Sequence, residues 1–188
     1  MATDSLTFRL ATAEDAAKLE ILINTAFRND NTTQVFLSPD HARVEVIDVA
    51  TIAAKIAQPD CAVLALTDAV TGTLIADGSV RRLEDGSAWF GMLAVDVSRQ
   101  GRGLGSKVLA WAEQHARREW GARRLEFDVV CTRTDLIAWY TRRGYRATGK
   151  TTPFPYDRHG DWKGVLRDDL HFINLGKDLS DVPITAGA

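Results

Sequence analysis

Leu93-Ala94-Val95-Asp96-Val97-Ser98-Arg99-Gln100-Gly101-Arg102-Gly103-Leu104-Gly105-Ser106 runs from an apolar strand end through a sharp turn into three alternating glycines, and a helical pattern follows. That order has a physical use. The first N–H groups of a helix have no intrahelical partner, and the macrodipole adds partial positive charge there. Glycine lets such amides approach a pyrophosphate with no Cβ in the way. Arg99 and Arg102 can add charge-assisted contacts at the rim, and Ser106 can donate from the first turn. A dinucleotide fingerprint needs Gly-x-Gly-x-x-Gly after the first strand of a parallel unit, whereas these glycines alternate. A Walker loop needs Gly-Lys-Ser/Thr, and Ser106-Lys107 stands in the opposite order. A glycine turn without a ligand, and a cradle for some other phosphate compound, stay open on this segment alone.

Upstream of it the period is two. Residues 61–67, 74–82 and 88–96 read as strands joined by turns at Thr71-Gly72 and Asp85-Gly86, an antiparallel meander. Before them comes a short strand at 7–10. Thr12 with Asp15 then opens a helix that buries Ala16, Leu19, Leu22, Ile23 and Phe27. Ser38-Pro39-Asp40 predicts the start of a second helix, reaching Gln58-Pro59. Downstream, the helix after the glycines runs to about Trp120 and ends at Gly121. A half-polar strand at 125–131 follows, then a short helix at 135–143 closed by Gly144, and last strands at 145–151 and 170–175. The connection 152–169 is rich in Pro, Gly, Asp and aromatics, and one that long inside a domain points to function or to mobility. The expectation is a single mixed α/β domain over 1–188, with an ordered core at about 6–176 and a loose tail at 180–188.

Composition narrows the partners. Hydrophobic residues make up 45% and charged residues 26% of the 188, the balance of a globular protein. A net charge of -2 argues against a nucleic-acid partner. Cys61 and Cys131 lie in apolar runs without a CxxC or metal-ligand spacing, so they read as small buried hydrophobes in a reducing compartment, and no metal site is expected. The first seven residues show no signal-peptide pattern, and no apolar run approaches the length of a membrane span. A cytoplasmic protein is expected, with no membrane partner; monomer and homodimer are both open.

Gln100-x-x-Gly103-x-Gly105 after Leu93-Ala94-Val95 resembles the central motif of the GNAT N-acetyltransferases. The stretch Ala138-Trp139-Tyr140-Thr141-Arg142-Arg143-Gly144-Tyr145 is similar to the family's following helix, and Arg9-Leu10-Ala11-Thr12 before Glu14-Asp15 is similar to its opening. The element order matches from about 6 to 176. The resemblance implies a GNAT fold: a central, mostly antiparallel twisted sheet with one splayed strand pair, flanked by about four helices. It also implies acetyl-CoA as cosubstrate and an N-acetyltransferase activity. Backbone groups of Leu93, Ala94 and Val95 would then hold the pantetheine arm, and Gln100, Gly101, Arg102, Gly103, Leu104, Gly105 and Ser106 the pyrophosphate. The N–H of Leu93 would face the acetyl carbonyl as an oxyanion donor, and Tyr140 would protonate the departing thiolate.

The resemblance does not carry a general base. Family members often place Glu or His on the strand before the glycine motif, where this chain has Trp89 and Gly91, and Arg133 stands where the family often has Asn. Candidates for the base are Glu84, Asp96, Glu126, Asp128, His41, His159 or water. One is needed for an ordinary amine: with a pKa of about 10 it is mostly ammonium at neutral pH. Phe154, Tyr156, Asp157, His159, Asp161 and Trp162 set aromatics beside carboxylates, which suits an organic cation as well as a pinned surface loop. A small-molecule amine or amino acid is therefore the expected acceptor. The alternatives are a peptide or protein amine, and a module that binds acyl-CoA without turnover.

Overall fold

The alternating segments pair into one seven-stranded sheet in the computed structural model, which describes residues 5–29, 47–156, 168–180 and 182. The strands are β1 (Leu6–Leu10), β2 (Cys61–Asp68), β3 (Leu74–Arg82), β4 (Ala88–Val95), β5 (Arg124–Val130), β6 (Arg146–Pro153) and β7 (His171–Asp178), in the order β1-β2-β3-β4-β5-β7-β6. All neighbours are antiparallel except β4 and β5. That parallel pair is brief: Ala88 lies opposite Leu125 and Trp89 opposite Glu126, and the ladder ends there. The mostly antiparallel sheet with a splayed pair is the architecture that the GNAT resemblance implies.

Helices cover the sheet according to which side chains each strand turns toward them. On one face, α1 (Ala16–Arg28) and α2 (Val49–Ala57) bury Leu19, Ile23 and Ile52 against Val63 and Ala94. On the other, α3 (Leu104–Trp120) buries Val108, Leu109, Ala112 and Ala116 against Leu64, Ile75, Val80 and Phe90. Burying each of the larger of these side chains, Val, Leu, Ile or Phe, stabilises the fold by about 1.5–3 kcal/mol. Gly78 sets the closeness of α3, since a Cβ there would meet Val108 Cγ1 at 2.5 Å. The fourth helix, α4 (Thr134–Thr141), delivers Tyr140 to the same core. Glu113 of α3 ties that core to the far end of the sheet, accepting from Tyr145 Oη at 2.9 Å and from Lys177 Nζ at 2.8 Å.

Two expectations change. The second helix does not run unbroken from the Ser38 region: it starts at Val49, behind an extended Asp48 whose Oδ1 accepts from the Thr51 amide at 2.6 Å. The reason lies in α1. Buried Asn24 donates to Ile47 O at 2.9 Å and accepts from the Ile47 amide at 3.3 Å, so both polar groups of Ile47 are withdrawn from a helical ladder. Ser38-Pro39-Asp40 itself lies outside the described residues. Second, Tyr145 precedes β6 rather than belonging to it, and is a fully buried plug between Phe127 and Glu113. The predicted start of α1 holds, with the Thr12 amide donating to Asp15 Oδ2 at 2.8 Å. Arg9 grips the same carboxylate from β1 at 2.7 Å and holds its pKa well below the usual range. Both cysteines are unbridged, but half-buried rather than fully so. No helix among the described residues is long and apolar enough to cross a membrane.

Candidate active site

The site begins with an irregularity in β4. Asp77 pairs with Ala94 and Ser79 with Gly91, so β4 carries one residue more than β3 across this interval. Met92 absorbs it with φ 57°, the single non-glycine residue in the left-handed region among those described. Such backbone costs about 1–2 kcal/mol for a residue bearing a Cβ, and a bulge bends its strand. It falls where β4 has just left β5, so Leu93, Ala94 and Val95 line an edge that no β5 residue pairs with.

Past that edge the chain turns through a short 3-10 segment whose capping residue, Asp96, accepts from Ser98 N at 2.8 Å. Arg99 anchors the turn to Asp68 at 3.2 Å, and Gln100 Nε2 donates to Val95 O at 3.3 Å. Gly101 and Gly103 have φ of 76° and 77°, and an added Cβ would meet nothing within 4 Å at either. This is left-handed backbone with open space before it. The first amides of α3 to find backbone carbonyls are those of Ser106 and Lys107, both bonded to Gly103 O. The amides of Gly103, Leu104 and Gly105 make no backbone hydrogen bond among the described residues, as the start of a helix requires. The predicted cradle therefore fits an anion by conformation and by donors.

Gly105 is where three elements meet. A Cβ there would lie 3.7 Å from the Trp139 ring of α4 and 3.9 Å from Leu93 Cδ2 of β4. One residue of this junction escaped the sequence reading. Arg143 lies 3.7 Å over the Trp139 ring and reaches Ser106 Oγ with Nη2 at 2.6 Å and Nε at 3.2 Å. A guanidinium thus stands at the N-terminus of α3. Its only sequence signal was the four-residue spacing from Trp139, which puts both on one side of a helical turn.

Tyr140 is 5% exposed and packs on Phe127, with ring centroids 4.3 Å apart, and on Trp139 at 4.8 Å. Burial pushes its phenol well above the usual tyrosine range, with Arg133 and Arg143 pulling part of the way back. It is therefore a retained proton, suited to donating and not to accepting.

The base candidates separate by position. Glu84 is exposed in the β3–β4 turn, beside the paired end of β4 and β5. Asp96 is engaged in its capping turn. Glu126 is buried opposite Trp89, where the strands are still paired, and is gripped by Arg124 with Lys150 at 3.6 Å. Asp128 is half-buried beyond the last β4–β5 pair and accepts from Asn174 Nδ2 at 3.1 Å. His41 and His159 lie outside the described residues, as do Asp157, Asp161 and Trp162. Of the long connection, Phe154 packs with Leu170, and Tyr156 Oη accepts from the Leu170 amide at 2.8 Å.

Two further features lie on the α1 face. Asp77 is fully buried, neither carboxyl oxygen finds a hydrogen-bond partner among the described residues, and burial raises its pKa well above the ordinary value. A cleft of ≈ 510 Å³ opens between α1 and the turn before β3, lined by Lys18, Thr25, Thr73 and Asp96 among others, but by neither Tyr140 nor any of the glycines at 101, 103 and 105.

The model of the acetyltransferase (GNAT) family matches residues 23–145. No curated protein sequence matches the chain. Among solved structures, it is similar to the PaiA N-acetyltransferase of Thermoplasma acidophilum in complex with coenzyme A: 15% identity, 93% of this chain and 99% of that one covered, TM-score 0.71. It is also similar to the ribosomal-protein-S18-alanine N-acetyltransferase of Escherichia coli, at 18% identity with 97% and 96% covered and a TM-score of 0.67. A spermidine N-acetyltransferase of Vibrio cholerae is 14% identical, with 96% and 97% covered and a TM-score of 0.68. At these identities the likeness concerns the fold.

Proposed function

The chain belongs to the GNAT acetyltransferase family, and from that membership we propose that it moves the acetyl group of acetyl-CoA directly to the primary amine of a small molecule or amino acid. It is an acyltransferase, and acetyl-CoA is its cosubstrate. The observation that carries the reading is the early end of the β4–β5 ladder beside a row of unpaired helix amides. In this reading the pantetheine arm lies along Leu93, Ala94 and Val95, and the pyrophosphate rests on Gln100 to Ser106. The N–H of Leu93 stabilises the oxyanion of a tetrahedral intermediate. Tyr140, which keeps its proton, supplies it to the thiolate that leaves.

Room on the α1 face supports a compact acceptor. At Gly91 an added Cβ would meet only Ser79 Oγ, at 3.8 Å. A reducing, cytoplasmic setting suits the unbridged Cys61 and Cys131. The test is thiol release from acetyl-CoA across a panel of primary amines, alongside coenzyme A binding by calorimetry. Amine-dependent release is expected. Tight binding of coenzyme A with no release above background would replace the enzyme with a binding module, and nucleotides that outcompete coenzyme A would replace the cosubstrate.

A further inference from the structure

An acetyltransferase for ordinary amines needs a proton acceptor, and β4 supplies none: Trp89 and Gly91 cannot take a proton. Extending the Trp89–Glu126 register by one pleat puts Gly91 level with Asp128, on the sheet face that α1 and α2 cover. The room left by the missing side chain of Gly91 is bordered by Ser79 from β3, and on β5 Asp128 is the next residue of that face past the last pair with β4.

Asp128 is also held. The Thr148 hydroxyl donates to Asn174 Oδ1 at 2.6 Å, which turns the other end of the amide outward, and Asn174 Nδ2 donates to Asp128 Oδ1 at 3.1 Å. Asn174 is 4% exposed, so its amide has little freedom. The chain runs across three strands, from β6 through β7 to β5, and ends on a half-buried carboxylate. The charged groups near it on that face are Glu126, Arg124 and Lys150, which are engaged with one another. No described cation forms an ion pair with Asp128 itself.

We propose that Asp128 is the general base for the acceptor amine, held in position by Asn174 and Thr148; this rests on the acetyltransferase reading above. The Asp128 carboxylate takes one proton from the ammonium. The freed lone pair attacks the thioester carbon, forming the N–C bond and placing a negative charge on the oxygen at the Leu93 N–H. Collapse breaks the C–S bond, and the thiolate receives the Tyr140 proton. The second nitrogen proton returns to the Tyr140 phenolate through solvent, and Asp128 releases its own to water. The products are the N-acetylated amine, the free thiol and one proton.

The test, run at a pH of about 8.5 where an ordinary amine is still mostly ammonium, pairs the best primary amine of the panel with its β,β-difluorinated analogue, which keeps the shape but is largely neutral there. Asp128→Asn should lower kcat/KM for the parent amine by about 10²–10⁴-fold and for the neutral analogue far less. Acetyl-CoA affinity and melting temperature should be unchanged. Asn174→Ala should show a smaller loss with the same selectivity. Equal losses on both amines, or a loss of acetyl-CoA affinity, would make Asp128 structural and overturn the proposal, as would no loss at all. A wild-type chain that acetylates neither amine would instead overturn the acetyltransferase reading itself.

Discussion

Arg143, two residues past the end of α4, stacks on the Trp139 ring of that helix, and the guanidinium lies 3.7 Å from the indole centroid. Its donors converge on Ser106 in the first turn of α3, so a fixed cation borders the row of glycine amides. Charge-assisted hydrogen bonds to a phosphate contribute about 1.5–3 kcal/mol. Arg143→Ala should therefore weaken coenzyme A binding by about 10–100-fold, read by calorimetry. Transfer from acetyl-pantetheine, which has no pyrophosphate, should be nearly untouched. Equal losses with both donors would make Arg143 a packing residue.

Tyr140→Phe removes a proton donor while keeping the ring that packs on Phe127 and Trp139. Turnover should fall by about 10²-fold, with acetyl-CoA affinity nearly constant in equilibrium binding. The sign of the pKa shift adds a check. Burial raises the phenol, so Tyr140 keeps its proton to higher pH than a free tyrosine. The wild-type rate should then lose no activity through Tyr140 below a pH of about 10. An alkaline loss below that point which vanishes in Tyr140→Phe would contradict the assignment.

Gly103→Val tests the cradle. A Cβ at Gly103 meets open space, so the cost to the free protein is left-handed backbone, about 1–2 kcal/mol. At about 2–4 °C of melting temperature per kcal/mol for a chain of this size, the variant should stay folded. The new side chain occupies the room in front of the α3 amides, and thermal shift by coenzyme A should disappear. Undiminished affinity would refute the phosphate assignment.

Asp77→Asn tests the buried carboxyl. Its pKa is raised in the folded state by loss of water, so the carboxyl's contribution to stability is fully present below the unfolded pKa of about 4 and is lost as pH rises toward the folded value. Asparagine does not ionise. The melting temperature of Asp77→Asn relative to wild type should therefore climb from acidic to neutral pH and level off above the folded pKa. A difference that stays flat across this range would show that Asp77 does not ionise differently in the two states.

Legibility differed by the range of the interaction involved. The period-two runs, the turns at Thr71-Gly72 and Asp85-Gly86 and the Gly121 stop are written in adjacent residues, and β1 to β5 and α3 form within a residue or so of where those signals put them, whereas β6 and β7 run two and three residues further, to Pro153 and Asp178. The second helix was misplaced because its start depends on Asn24, 23 residues away from Ile47, and no local pattern announces that bond. Arg143 was missed for the same reason: its partner Ser106 is 37 residues distant.

From its residues alone, this chain is legible as a GNAT acetyltransferase, because a glycine cradle and a tyrosine-bearing helix are local signals at a readable separation. Position on the far side of β4 is not local. Glu126 and Asp128 are two residues apart and alike in chemistry, yet one is paired with cations beside an intact ladder and the other lies beyond the last β4–β5 pair. Only the point at which β4 leaves β5, together with the side chains that β6 and β7 bring to the same face, separates a structural carboxylate from the one we propose as the base.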